Sequence, residues 1–235
     1  MRLRRHPPLR SPFPKPLKQP LLHPALYDPS CVLALLSQRD NKWYDFSGND
    51  NHGALNNAVF TSKGRFGPAI YFDGNDYIVQ ISHHASLIPV NISYEFWIYP
   101  INLGTGGQDI FAKRNDSNVG SILIDVPDQD DIYHFFYVDG SWYNVRIPYE
   151  NNVWQHIVGS YDGETIKVYR NGASPSTNTS PTGDLNTETT DLYIGGDSRS
   201  AGGLNFNGFL DSFFLYNRAL TFEEVKRNYA LGQII

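Results

Sequence analysis

The chain has 235 residues, 40% of them hydrophobic and 14% aromatic, and a formal net charge of -5. This length can bury a sizeable core in one main domain, and a single cysteine, Cys31, excludes both an internal disulfide scaffold and a cysteine metal cluster. No run of about 18 apolar residues occurs, which argues against a membrane-spanning helix.

Residues 1–24 hold six cations (Arg2, Arg4, Arg5, Arg10, Lys15 and Lys18), seven prolines and no acid. The rest of the chain carries 13 basic and 24 acidic residues, a balance of -11. A proline-rich basic segment is extended, polyproline-like and unable to build a core of its own. The prolines also break any apolar stretch of signal-peptide type, so no recognisable signal peptide is expected. Residues 1–30 are therefore read as an arm and residues 31–235 as the folded body.

From Cys31 the pattern changes to short runs of β-formers separated by turn residues. Strands are predicted at 31–36, 69–72, 77–81, 92–99, 109–113, 120–126, 132–138, 142–147, 153–161, 165–170, 191–194 and 209–216. Asp73-Gly74-Asn75-Asp76 reads as a tight hairpin. Asp139-Gly140, Asp162-Gly163 and Asn171-Gly172 give three further hairpin signals. Residues 174–190, rich in Ser, Thr, Asn and Pro, read as a long surface loop. About twelve strands at this spacing imply an all-β, two-sheet antiparallel sandwich. After the last strand, Thr221 and Glu224 form a Thr-x-x-Glu capping box that starts a short C-terminal helix.

Six phrases occur in order: Tyr44-Asp45-Phe46-Ser47-Gly48-Asn49-Asp50-Asn51-His52-Gly53; Gly67-Pro68-Ala69-Ile70-Tyr71-Phe72-Asp73-Gly74-Asn75-Asp76-Tyr77; Ser93-Tyr94-Glu95-Phe96-Trp97-Ile98-Tyr99-Pro100; Trp154-Gln155-His156-Ile157-Val158 with Tyr161-Asp162-Gly163; Tyr169-Arg170-Asn171-Gly172; and the stretch from Asp211 to Glu224. Together, over residues 32–231, they resemble the LamG-like jelly-roll domains of the concanavalin A-like lectin/glucanase superfamily. The resemblance implies a concanavalin A-like jelly-roll sandwich with Greek-key connections, and often a bound calcium ion. It fixes fold more firmly than function, because sites are grafted on folds. The arm has no counterpart in the family.

Calcium takes six to eight oxygen ligands, commonly from loops. Asp45, Asn49, Asp73 and Asp211 are the candidate metal ligands, with the first and last strands expected to be neighbours. The competing expectation is that these acids cap turns or meet backbone donors. A second constellation is a face. Alternation places Tyr133, Phe135 and Tyr137 opposite the apolar side of their strand, and Trp142, Asn144 and Arg146 opposite the apolar side of the next. If these sides coincide, Tyr133, Tyr137, Trp142, Asn144, Arg146 and Asp125 form an aromatic and polar patch suited to glycans, or an ordinary outer sheet surface.

His156 alternates with Trp154 and Val158 and reads as a buried structural histidine. Glu95 resembles a catalytic acid only superficially, because a glycosidase needs a second carboxyl about 5 to 9 Å away and no Glu-x-Asp-x-x-Glu run is present. The sequence therefore points to a non-catalytic, surface-displayed binding or structural module docked by its arm into a larger protein assembly, such as a virion surface or decoration protein with glycan-binding capacity. A stand-alone calcium-dependent lectin is the alternative, and a glycoside hydrolase the weaker one. Neither nucleic acid nor membrane insertion is expected.

Overall fold

The computed structural model describes residues 23–103, 106–115, 117–127, 130–197 and 205–233. The arm residues Arg2, Arg4, Arg5, Arg10, Lys15 and Lys18 lie outside them. Sixteen strands appear in chain order. They are β1 (Cys31–Arg39), β2 (Lys42–Asp45), β3 (Gly53–Asn56), β4 (Val59–Thr61), β5 (Ala69–Asp73), β6 (Ile78–Ile81), β7 (Ile92–Pro100) and β8 (Asp109–Arg114). The second half gives β9 (Gly120–Asp125), β10 (Asp131–Val138), β11 (Ser141–Pro148), β12 (Gln155–Tyr161), β13 (Ile166–Arg170), β14 (Ser176–Asn178), β15 (Leu192–Ile194) and β16 (Asn207–Tyr216). One helix, α1 (Phe222–Leu231), follows.

The strands form two facing layers joined through β2. The front layer runs β11-β10-β9-β8-β15-β6-β3, and the back layer runs β1-β16-β7-β12-β13-β14, with β5 taking up the far end of β16 and β4 beside it. Every strand pair is antiparallel. The first and last strands are neighbours as expected, with Leu33 opposite Leu215 and Leu35 opposite Phe213.

Alternation sends Ile132, Phe136 and Val138 of β10 inward to meet Tyr94, Phe96 and Phe213 of the back layer. Tyr94 packs on Phe111 at 5.6 Å and on Phe136 at 6.1 Å, tying the layers together. Its hydroxyl meets His134 Nδ1 at 2.5 Å in the fully buried interior. Space for the Tyr94 ring exists because residue 159 is glycine: a Cβ there would overlap the Tyr94 hydroxyl.

The run Phe213-Phe214-Leu215-Tyr216 is apolar on both faces because both faces are covered. A bulge at Ser212, whose φ is 53°, resets the alternation so that Phe213 and Leu215 enter the main core. Phe214 and Tyr216 face outward into a second, smaller core with Ala25, Val158, Tyr169, Leu220 and Val225, roofed by α1 and the 3-10 turn Pro24–Tyr27. Residues 23–30, expected at the end of the arm, thus lie against the back layer. The capping box starts α1 as predicted: Glu224 N donates to Thr221 Oγ1, and Thr221 N donates to Glu224.

Three of the four turn signals join paired strands. Asp139 (φ 45°) and Gly140 (φ 76°) close the two-residue β10–β11 hairpin, the left-handed pair that such a turn demands. The hairpin expected at Asp73-Gly74-Asn75-Asp76 does not form: β5 pairs with β16 and β4, whereas β6 pairs with β15 and β3. Asp73 Oδ1 caps the amides of Asn75 and Asp76, so the turn chemistry is real, but it carries the chain from the back layer to the front. The loop expected over residues 174–190 contributes β14 and plugs Leu185, 2% exposed, into the core.

Candidate functional site

The outer face of the front layer gathers all six residues of the predicted aromatic patch. Strand register sets Tyr133 between Asp125 and Arg146, and Tyr137 beside Trp142. Phe135, absent from the predicted set, stands at the centre, opposite Asn144 on one side and Leu123 on the other. It shares the parity of Tyr133 and Tyr137, so the alternation already carried that signal. Tyr133 and Phe135 stack at 5.9 Å, and Trp142 meets Tyr137 edge-on at 4.9 Å. The four rings are half-buried, while Asn144 and Arg146 are exposed.

Several contacts fix the patch. Trp142 Nε1 donates to the Asn118 carbonyl at 3.0 Å. Arg146 donates to the Tyr133 hydroxyl at 3.1 Å, lies 5.9 Å from its ring centre, and approaches Asp131 at 3.6 Å. Rings held in this way are pre-organised, so a ligand need not order them on binding.

Next to the rings lies a charged cluster that the sequence reading missed. Arg114, on β8, donates to Asp109 at 3.0 Å and through Nε to Asp197 at 2.7 Å, all three being almost completely buried. Asp125 connects this cluster to Tyr133 and accepts from Gln108 N at 2.9 Å. Burial, only partly offset by Arg114, pushes the Asp109 carboxyl up to about 8, with Asp197 and Asp125 adding to the rise. Asp125 is raised for the same first reason.

Glu95 sits on the other side of the molecule, on the outward face of β7 beneath α1, and is 1% exposed. Its Oε1 accepts from His156 Nε2 at 2.8 Å and His23 Nε2 at 3.1 Å; its Oε2 accepts from the Tyr216 hydroxyl at 3.1 Å and Asn228 Nδ2 at 2.9 Å. Burial opposes its charge, but the two imidazoles and their hydrogen bonds outweigh that and hold the carboxyl well below its usual range. Walled in by four donors, it has no route to a substrate, which corrects the hydrolase alternative built on Glu95. His156 is fully buried, as read from the alternation.

The candidate metal ligands are placed apart. Asp45 Oδ1 accepts from Ala34 N and Ser47 N, and its Oδ2 from Ser47 Oγ and Asn51 N. Asn49 donates to the Val32 carbonyl, Asp73 caps its own turn, and Asp211 Oδ2 accepts from Phe66 N at 2.9 Å. Both carboxylate oxygens of Asp45 and of Asp211 are thus engaged by N–H or O–H groups. Among the described residues, no group of three or more His, Cys, Asp or Glu is placed to hold a metal. These four residues do not fit one shared calcium ion.

A laminin G family model, described as the concanavalin A-like lectin/glucanases superfamily, matches residues 72–226, well over half the chain. The chain belongs to this superfamily. No curated protein matches the sequence. Among solved structures of this superfamily's jelly-roll shape, domain 4 of AbnA, a GH43 extracellular arabinanase from Geobacillus stearothermophilus solved with arabinotriose, is 20% identical with a TM-score of 0.69, covering 85% of this chain and 98% of that one. The binding domain of Paraclostridial Mosquitocidal Protein 1 is 18% identical (TM-score 0.69; 85% and 52% covered). The botulinum neurotoxin serotype G binding domain is 15% identical (TM-score 0.69; 87% and 51% covered). The lectin/glucanase-like chain therefore spans about half the length of the toxin binding domains it matches. Such identities establish the shared fold alone.

Proposed function

We propose that this domain is a non-catalytic carbohydrate-binding module displayed on an exterior surface, with its ligand lying across Tyr133, Phe135, Tyr137 and Trp142. The observation that carries the reading is register: two adjacent strands set four aromatic rings side by side, bordered by Asn144, Arg146 and Asp125. Ring faces stack on sugar C–H groups while the polar border hydrogen-bonds hydroxyls. The similarity to an arabinanase domain solved with arabinotriose supports pentose oligosaccharides as the first probes. Calorimetric titration of arabino-, xylo- and gluco-oligosaccharides should give saturable heat with the native protein and about tenfold weaker binding or worse with Trp142→Ala. Equal binding by the native and Trp142→Ala proteins would remove the face from consideration.

The basic segment before Pro24 is proposed as the tether of this module to a larger assembly such as a virion, on the strength of its six cations set against an acidic body. Deleting residues 1–22 should leave the melting transition in place and abolish incorporation into the parent particle. Normal incorporation would refute the tether.

A further inference from the structure

The back layer carries a second row of aromatic side chains on its outward face, beyond the end of the α1 roof. Trp154, immediately before β12, lies 5.6 Å from Tyr99 of β7; Tyr99 lies 5.7 Å from Phe209 of β16; Phe209 lies 5.2 Å from Tyr71 of β5; and Tyr71 lies 6.1 Å from Tyr77. Register makes this a ladder, with Phe209 directly opposite Tyr99 on one side and Tyr71 on the other. Inward neighbours Ile70, Phe72, Ile98 and Leu210 belong to the main core and Tyr77 packs against it at one end of the row, so the rings of Trp154, Tyr99, Phe209 and Tyr71 are the ones additional to what core packing requires. All five are half-buried.

We infer that this row is a second carbohydrate site, one that takes an extended polysaccharide chain across the strands. Three observations choose this occupant over a protein. First, five mostly buried aromatics of ~150–250 Å2 each leave on the order of 200 Å2 of ring surface exposed. That is about a quarter of the ~800 Å2 each partner contributes to a stable protein interface. Second, the hydroxyls of Tyr71, Tyr77 and Tyr99 and the indole N–H of Trp154 make no hydrogen bond among the described residues, so polar tips stand along an apolar row. Third, the rings recur at 5.2 to 6.1 Å, about the length of one monosaccharide unit, and cross three adjacent strands at Tyr99, Phe209 and Tyr71, with Trp154 and Tyr77 at the two ends. A chain of sugars lying across the strands would meet a new ring at each unit and a hydroxyl donor beside it. Because the row and the Trp142 face lie on opposite outer surfaces of the sandwich, a single domain could hold two chains.

The inference is independent of the front face, and affinity electrophoresis separates the two. Native protein, Trp142→Ala, Trp154→Ala/Tyr71→Ala and the combined triple variant are run through gels containing linear arabinan, xylan or mixed-linkage β-glucan, with near-ultraviolet circular dichroism confirming each fold. The row predicts that Trp142→Ala is still retarded by at least one polymer and that adding Trp154→Ala/Tyr71→Ala weakens this residual retardation about tenfold or more. Tyr71→Phe/Tyr99→Phe, which keeps the rings and removes two hydroxyls, should fall between the two. A folded Trp142→Ala protein that runs unretarded on every polymer overturns the row while leaving the front face standing. So does residual retardation that the added substitutions do not change. Native protein unretarded by all three polymers overturns both sites.

Discussion

Replacing His134 tests how the two layers are joined. The ring is fully buried, its Nδ1 takes the Tyr94 hydroxyl at 2.5 Å, and its Nε2 has no partner. Tyr94→Phe leaves both ring nitrogens unsatisfied, and His134→Leu leaves the Tyr94 hydroxyl without an acceptor; each change should cost about 1–3 kcal/mol. Removing both partners together should cost much less than the sum, because apolar groups of similar shape replace a polar pair. The pair also predicts a pH effect. Burial pushes the folded His134 imidazole down to about 3 from an ordinary 6.5, so acid protonates the unfolded chain first and stability falls as pH drops from 6.5 toward 3. Between pH 7 and pH 5 this loss is about 2 kcal/mol. Urea unfolding of native protein and His134→Leu at both pH values isolates it, since Asp109 titrates identically in each. Equal loss of stability by both proteins on acidification, or a double substitution that costs as much as the two singles added together, would refute the coupling.

Other outcomes follow from particular contacts. Gly159→Ala should destabilise the fold by about 2 kcal/mol or more, because the new methyl overlaps the fully buried Tyr94 ring; a melting temperature within a degree of native would contradict the packing. Asp109 is raised to about 8, so its protonated form stabilises the fold below its ordinary 3.8 and that contribution is lost as pH rises through 8. Asp109→Asn should therefore flatten the decline in urea midpoint between pH 6 and pH 9, and an unchanged decline would refute this. Thr221→Ala removes the capping box and should cost about 1 kcal/mol in the same assay. Since Asp45, Asp73 and Asp211 engage separate hydrogen-bond donors, calcium and chelator should give the same melting temperature; a rise with calcium would contradict this.

Much of this arrangement was legible from local chemistry. Asp139-Gly140 encodes a left-handed turn pair, Thr221 and Glu224 encode a helix start, and the alternation of residues 132–138 and 142–147 separates a core face from an aromatic one. Features set by distant pairing were not. Asp73-Gly74-Asn75-Asp76 has the residues of a hairpin, but which strands flank it depends on whether β16 or β6 covers the edge of β5, and no local pattern states that. Strands β2, β3, β4 and β14 are only three or four residues long, too short for alternation to declare itself. The donors around Glu95 come from positions 23, 156, 216 and 228, so its burial emerges only once three strands and both chain ends converge. The Arg114 cluster stayed hidden for the same reason, its carboxylates arriving from positions 109 and 197.

The most direct measurement of sugar binding at the front face is a backbone-amide NMR titration with arabinotriose and its xylo- and gluco-counterparts. Resonances of residues 121–125, 133–137 and 142–146, with the Trp142 indole, should move together and saturate. Saturating shifts confined to any other surface, or none with the whole set of sugars, would contradict it.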